Sequence, residues 1–452
     1  MIPVVTPEEM AAIDAAAPEP TEVLIQRAGA AVARRAILEM GGSYGRRVVV
    51  VAGKGNNGAD GRVAADRLRR RGVRVQVVAA RDCPPRLPPC DLVVDAAYGT
   101  GFRGSYTAPE PGQAPVLAVD IPSGVDGLTG ESGEGAVAAD VTVTFAALKP
   151  GLLFSDRAGV VTVSDIGLDT AGARIHSVEP ADVAQRLPRR PRDAHKYLAA
   201  VALVAASPGM TGAAALAAGA TMRAGAGYCR LAVPGPGLAP RVDHEVVTVE
   251  LPAQDWAAAA LAACVRMAAL AVGPGLGRSE ATQASVRSLV AAAPLPLVVD
   301  ADGLFALGTG ATAAGVLAGR DAPSILTPHD GEFTRLAGRP PGPDRIASVR
   351  ALAAELRATV LLKGPVTVVA DPSGRVLVSG SGTPALATAG TGDVLTGVVA
   401  AFLAAGLPPL EAGALAAAAQ GGAARAGPGV GLVAGDLLAL LPRFLSAPAA
   451  GP

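Results

Sequence analysis

VVVVAGKGNNGADG, Val48 to Gly61, runs four β-branched residues straight into a segment dense in Gly and Asn. The valines suit a strand buried on both faces of a parallel sheet. Gly53, Gly55 and Gly58 satisfy the G-x-G-x-x-G spacing that lets a backbone approach a pyrophosphate at a helix N-terminus. That spacing alone leaves two readings open, a dehydrogenase cradle or a loop with another use. A dinucleotide fold asks for an acid about 20 residues further on. Asp82 could serve, but Arg81 beside it blurs the case, and Asn56, Asn57 and Asp60 are polar groups that plain pyrophosphate binding does not require.

Outward from this stretch, helix-like segments at 21–40 and 61–71 alternate with apolar runs at 48–51, 73–79, 92–95, 116–120 and 141–145. Such alternation predicts an α/β fold with a parallel sheet covered on both faces. LPRRPRDAHK, residues 187–196, has the composition of a linker, so two domains are expected, 1–188 and 189–452. Beyond it the alternation resumes with runs at 199–205, 270–272, 297–300, 324–326, 360–362 and 366–370, separated by Ala-rich helices. Only the final SAPAAGP reads as disordered.

The 39 basic and 39 acidic residues cancel, which excludes broad attraction to nucleic acid or an anionic bilayer. MIPVVTPEEM has no basic segment leading an apolar core, so the expected compartment is the cytoplasm. Cys83, Cys90, Cys229 and Cys264 form no CxxC pair and read as reduced thiols. The uncharged stretch 197–222 raises the question of a membrane span, but Ser207-Pro208-Gly209 breaks it, so it reads as strand, turn and helix. A homo-oligomer of unspecified size is the expected assembly. Thirty-five of the 39 basic residues are arginines; the four lysines, Lys54, Lys149, Lys196 and Lys363, all lie beside Gly, Pro or Tyr in strand-end or loop settings. A compact ammonium against an Arg background points to a positional need.

Ligands in open α/β sheets sit outside the carboxyl ends of strands. In the first half these are the segment from Gly53 to Gly61, DAAYGTGFRGS (95–105), DIPSGVD (120–126) and TFAALKPG (144–151). Asp95 and Asp120 each end an apolar run, where a carboxylate is costly unless paired or bound to a cation. One such acid is as well explained as a cap or turn former; two, beside Asn57 and Ser123, favour a cation held by hard oxygens. The combination GNNGADG, DAAYGTGF, VDIPSGVD and TFAALKPG resembles the NAD(P)H-hydrate epimerase domain over roughly residues 1–170. The resemblance implies a Rossmann-like αβα sandwich. It implies that the damaged dinucleotide is contacted by Asn56, Asn57, Gly58, Ala59, Asp60, by Gly99, Thr100, Gly101, Phe102, Arg103, Gly104, Ser105, and by Asp120. It also implies a potassium ion on Asn57, Asp95 and Ser123. The epimerase reaction inverts C6 of the hydrated nicotinamide and needs a proton-transfer group, for which Asp120 is the candidate, with Lys149 read chiefly as a structural salt-bridge residue. Ala59 departs from the family's usual Gly, and a methyl there is expected to crowd a ligand or force the backbone out of positive φ.

In the second half, TAGTGDVLTGVVAAFLAAG (388–406) places Thr391-Gly392-Asp393 at the opening of a long apolar helix, where free N–H groups and the helix dipole suit a phosphate. Asp393 is awkward as an anion binder but makes sense as a base for a substrate hydroxyl; as a plain N-cap it is worth about 1 kcal/mol. GPGLG (273–277), TPHDGEF (327–333) and LLKGPVTVV (361–369) belong to the same rim, with Glu332 placed to reach a magnesium ion. These motifs, with AHK and GMTGAA near the domain start, resemble the ADP-dependent NAD(P)H-hydrate dehydratase domain of the ribokinase-like superfamily over roughly residues 190–445. Fused behind an epimerase domain, the arrangement resembles the bifunctional bacterial repair enzymes. The resemblance implies that Ala226, Gly275, His329 and Asp393 bind the hydrate and that Lys363, Gly364, Pro365, Val366, Thr367 and Gly392 bind the adenine nucleotide. Asp393 then takes the hydroxyl proton as ADP donates its β-phosphoryl group with Mg²⁺ offsetting phosphate charge, and elimination gives NAD(P)H, phosphate and AMP. Two departures are Tyr197, in place of a commoner Gly, and the loop Ala205-Ala206-Ser207, which lacks glycines. The rivals are a small-molecule kinase fused to a non-catalytic Rossmann-like binding module, and a dehydrogenase.

Overall fold

The structure, a computed structural model, describes residues 1–238 and 240–446; the tail expected to be disordered lies outside them except for Ser446. The chain forms two compact units, one from Ile2 to Ile175, the other from His176 onward together with Met1. This division falls earlier than the expected boundary at 188/189. The Val178 N–H donates to Val378 O, so the residues after Ile175 are already tied to the second sheet.

In the first unit six strands run parallel in the spatial order Arg74–Ala79, Arg47–Ala52, Leu92–Ala96, Val116–Val119, Val141–Phe145, Val160–Ser164. The middle strands are buried on both faces, which is why they read as continuous valine runs. The helices Thr21–Glu39 and Asn56–Arg70 cover one face, closing a core that includes Val32, Val50, Leu68 and Val94. The second of these helices starts at Asn56, not at residue 61, so NNGADG is its opening turns. The glycines that prompted a phosphate-cradle reading serve chain packing. A Cβ on Gly58 would stand 1.9 Å from Gly53 O, and one on Gly53 would stand 1.9 Å from Ala97 O. The Arg62 guanidinium donates to both Gly53 O and Gly58 O and seals the turn.

The second unit is built on a mixed sheet. Val376–Ser379, Thr367–Ala370 and Thr359–Leu362 form antiparallel hairpins. The sheet continues in parallel through Ser324–Leu326, Leu297–Val299, Ala269–Val272, Ala200–Val204, Tyr228–Pro234 and Val246–Leu251. The helix Thr391–Ala404 is buried at every position from Val394 onward, as its unbroken apolar sequence requires. It packs closely on Thr211–Arg223, where a Cβ on Gly397 would fall 2.2 Å from Ala217 O. The uncharged stretch resolves into the strand Ala200–Val204 and the helix Thr211–Arg223. Among the described residues no helix is long and apolar enough to cross a membrane. Val160–Ser164, Tyr228–Pro234, Val246–Leu251 and Val376–Ser379 are strands that the apolar-run reading passed over.

Candidate functional sites

The carboxyl ends of the first sheet's strands open onto a cavity of about 850 Å³. Of the residues expected there, Asn56, Asn57, Asp60, the run Gly99 to Arg103 and Asp120 line it; Gly58, Ala59, Gly104 and Ser105 do not. Ala59 lies in the helix and its backbone has no positive φ, so the feared strain is absent. Asp120 itself takes φ 67°, a left-handed backbone that costs an ordinary residue about 1–2 kcal/mol. Its Oδ1 accepts from Lys149 Nζ at 2.7 Å and from the Thr144 hydroxyl at 3.1 Å. Lys149 is 1% exposed and also donates to Thr144 Oγ1 and Phe145 O, so the ammonium is fully engaged.

Facing that pair, Asp60 has its pKa pushed up to about 8 by burial first, then by the charges of Asp120 and Asp14. Asp14 also lines the cavity, raised by burial with Lys149 opposing and Asp120 adding. The site therefore couples a lysine-held carboxylate with a carboxyl that keeps its proton at neutral pH. Asp14, in the helix Pro7–Ala15, was not singled out in the sequence because that helix carries no loop signature. Asp95 is buried beneath, its pKa raised to about 6 by burial against the opposing N–H bonds of Ser123 and Ala97 and the Ser123 hydroxyl. Asn57 differs, for both its side-chain O and N are buried without a partner. An oxygen-seeking cation fits the unpaired Asn57 carbonyl, while Asp95 and Ser123 already bond to one another.

In the second unit Lys363 Nζ donates to Asp300 Oδ1 at 2.7 Å and stands 3.9 Å from Glu332 Oε2. A Cβ on Gly392 would come 3.6 Å from that nitrogen, which brings the lysine to the opening of the helix that carries Asp393. Burial would lower the Lys363 pKa, but Asp300, Glu332 and Asp393 outweigh it and raise it. Asp393 is pushed up to about 6, chiefly by burial and then by Asp300, with Lys363 opposing and Asp302 and Glu332 adding. Thr391 Oγ1 donates to Leu386 O and Thr388 O and Gln420 donates to Thr391 O, so this turn is fixed before any ligand arrives. Asp300, passed over in the sequence, ends the run LPLVVD just as Asp95 and Asp120 end theirs; the same rule would have found it.

His329 caps the helix Asp330–Ala337, its Nδ1 accepting from the N–H groups of Gly331 and Glu332, while Glu332 accepts from the His329 N–H. Its Nε2 stands 3.6 Å from Glu332 Oε2. His329 and Glu332 line a second cavity of about 260 Å³. Gly275 takes φ 63°, with room for a Cβ denied by Met210 O at 2.5 Å. Gly364, Pro365 and Val366 form the turn between the strands Thr359–Leu362 and Thr367–Ala370. Ala226 is buried after the helix Thr211–Arg223, and neither cavity reaches it. Of the two departures, Tyr197 stacks under the Arg266 guanidinium at 3.6 Å. Ala206, in the loop without glycines, holds φ 80°.

Each unit is an α/β fold with an acid-lined cavity at its strand ends, the place where enzymes of this class bind their ligands. Residues 201–441 match the family model described as NAD(P)H-hydrate dehydratase, and residues 21–88 and 79–151 match that of the YjeF-related protein N-terminus. The chain is 42% identical over 428 residues to a bifunctional NAD(P)H-hydrate repair enzyme of Mycobacterium tuberculosis, covering 87% of each chain. It is 36% identical to the enzyme of the same name from Moorella thermoacetica, covering 98% of this chain and 96% of that one. An ADP/ATP-dependent NAD(P)H-hydrate dehydratase from Bacillus subtilis, co-crystallised with ATP and Mg²⁺, superposes with a TM-score of 0.51 at 32% identity, over 59% of this chain and 95% of that one. The chain belongs to the family of bifunctional NAD(P)H-hydrate repair enzymes.

Proposed function

We propose that the first unit interconverts the R and S forms of NAD(P)H-hydrate and that the second dehydrates the S form at the expense of ADP, releasing AMP and phosphate. The observation that carries the reading is Asp393, a carboxyl with a pKa of about 6, set at a helix opening against Lys363 and Gly392. At neutral pH it is ionised, and it is basic enough to accept the hydroxyl proton of the hydrate as phosphoryl transfer begins. Hydroxide leaves poorly and phosphate leaves well. Lys363 and the N–H groups from Gly392 onward hold the phosphate oxygens, and His329 and Gly275 hold the hydrate. Glu332 would offer a hard-oxygen donor to a magnesium ion bound with ADP, which would offset phosphate charge.

In the first unit, Asp120 and Asp60 are the proposed base and acid pair, since Lys149 holds Asp120 in an ion pair while burial and the neighbouring acids raise the pKa of Asp60. Asn57, with Asp95 and Ser123 behind it, is the proposed potassium site. Membership of both halves in one repair family favours this reading over a small-molecule kinase fused to an inert module. The cytoplasm as compartment and a homo-oligomer as assembly belong to the same reading. The test is to mix purified protein with racemic NADH-hydrate and ADP and follow NADH absorbance. Complete return of NADH with equimolar AMP is expected; hydrate that survives untouched, or a stable phosphorylated product, overturns the proposal.

A further inference from the structure

The smaller cavity beside His329 has a feature that phosphoryl transfer from ADP does not use. Its wall carries two guanidinium groups over a single aromatic ring, Arg335 at 3.6 Å from the Phe305 centroid and Arg278 at 4.5 Å. Phe305 lies on the helix Asp302–Leu307, Arg335 on Asp330–Ala337 and Arg278 on the loop after Ala269–Val272, so three strand-end segments converge there. Stacking on a ring holds a guanidinium by its flat face and leaves its edge N–H donors free.

Arg278 spends Nε on Asp302 Oδ1 at 2.8 Å, which fixes the group and leaves its two terminal nitrogens available. Arg335 makes only a 3.5 Å contact to Phe305 O, and among the described residues no carboxylate pairs with it. His329 also lines this cavity, with Nε2 3.6 Å from Glu332 Oε2. Glu332, the acid on this wall, is turned to the His329 N–H and toward Lys363. The cavity therefore presents the edge N–H donors of one guanidinium fixed by Asp302 and of another without a carboxylate partner, and Glu332 on the same wall reaches toward Lys363 of the reacting groups. Guanidinium edges match phosphate oxygens in pairs.

We propose that Arg335 and Arg278, held on Phe305, form a subsite for the phosphate groups of the dinucleotide hydrate. The inference rests on the dehydratase reading above. It gives the hydrate a phosphate anchor of its own, separate from the lysine that meets ADP. Binding energy taken from this distant part of the substrate then orients the hydroxyl toward Asp393.

The experiment compares Arg335→Ala with the unaltered protein on NADH-hydrate and on the hydrate of reduced nicotinamide riboside, which has no phosphate. The variant is expected to lose about tenfold in kcat/KM on NADH-hydrate, mostly through KM, with KM for ADP unchanged and the riboside reaction unaffected. Arg335→Lys should recover part of the loss, since it restores charge without the fork. Equal losses on both hydrates, no loss on NADH-hydrate, or a loss confined to KM for ADP would each overturn the subsite. Should the dehydratase reading itself fail, the unaltered protein would turn over neither hydrate, which is a different result. Arg335 is an exposed helix residue, and an unchanged melting temperature confirms that the variant folds.

Discussion

Both halves of the chain place a lysine 2.7 Å from an aspartate at the end of a parallel strand, but the two pairs are turned opposite ways. In the first unit the buried member is the cation: Lys149 is 1% exposed and Asp120 17%. In the second the buried member is the anion, with Asp300 at 2% and Lys363 at 20%. The same ion pair thus offers a carboxylate to one cavity and an ammonium to the other. A carboxylate suits proton movement on a neutral ring, and an ammonium suits a phosphate. Each site then adds a second, desolvated acid, Asp60 with a pKa of about 8 and Asp393 with one of about 6. On the proposed reading, one electrostatic arrangement serves two reactions because the partner left accessible differs.

The most forceful way to break this comparison is to remove the proton-carrying groups one at a time. Asp393→Ala should cost about 10²–10⁴ in ADP-dependent NADH recovery from S hydrate. R-to-S conversion should persist. Asp120→Ala should do the reverse. The check is chromatographic separation of the two hydrates alongside AMP release, and loss of both activities in either variant would end the independence of the sites.

Next come the stranded charges. Asp120→Asn leaves Lys149 buried and unpaired, and Lys363→Met leaves Asp300 so; each should cost about 3–5 kcal/mol, read by denaturant unfolding. The doubles Asp120→Asn with Lys149→Met, and Lys363→Met with Asp300→Asn, should regain much of that stability without regaining activity. Recovery of activity in a double would show that the exposed partner has no chemical part.

A pH series sharpens the difference between the second acids. Asp393 must be ionised to act, so dehydration should fall about tenfold for each pH unit below about 6. Asp60 bears on stability. Its folded pKa of about 8 lies above the ordinary value of 3.8, so between those pH values the folded state holds a proton that the unfolded chain has released. The contribution is fully present below about pH 4 and is lost as pH rises through 8. Asp95, raised to about 6, adds to the lower part of the same slope. The melting temperature of the first unit should therefore decline across this range, and Asp60→Asn should flatten the decline. A slope unchanged by Asp60→Asn would place the proton elsewhere.

The asymmetry between the pairs was only partly legible. Valine runs ended by Asp95 and Asp120 announced a buried parallel sheet and its functional rim, because an unbroken apolar strand must be covered on both faces and a carboxylate at its end is costly unless it is paired or put to use. The rarity of lysine drew attention to Lys149 and Lys363. The burial of one and partial exposure of the other depend on packing that no local pattern encodes. NNGADG read as a loop because Gly and Asn are poor helix formers, yet Gly53 and Gly58 are required by backbone contacts, and the helix that opens at Asn56 proceeds through Gly58. Val246–Leu251 was passed over for a different reason, since it is an edge strand buried only at its two ends and has no continuous apolar run. Arg335, Phe305 and Arg278 lie far apart in sequence, and only the fold assembles them.

The smallest expected effect tests the hydroxyl that each ion pair shares. Thr144 donates to Asp120 Oδ1 at 3.1 Å, and Thr396 to Asp300 Oδ2 at 2.5 Å; both threonines are fully buried. Valine keeps the shape and removes the donor. Asp120 keeps Lys149 and part of its solvent when Thr144 is lost, but the buried Lys149 ammonium also loses Thr144 Oγ1 as its acceptor at 2.8 Å, so Thr144→Val should cost about 3 kcal/mol. Asp300 is the more enclosed carboxylate and its hydroxyl bond is the shorter, so Thr396→Val should cost about 2 kcal/mol, within the range for bonds to charged groups. The measurement is the difference in unfolding free energy between the two valine variants. A Thr144→Val cost no larger than that of Thr396→Val would mean that the buried ammonium does not draw on the shared hydroxyl, and the contrast between an anion-buried and a cation-buried pair would lose its energetic basis.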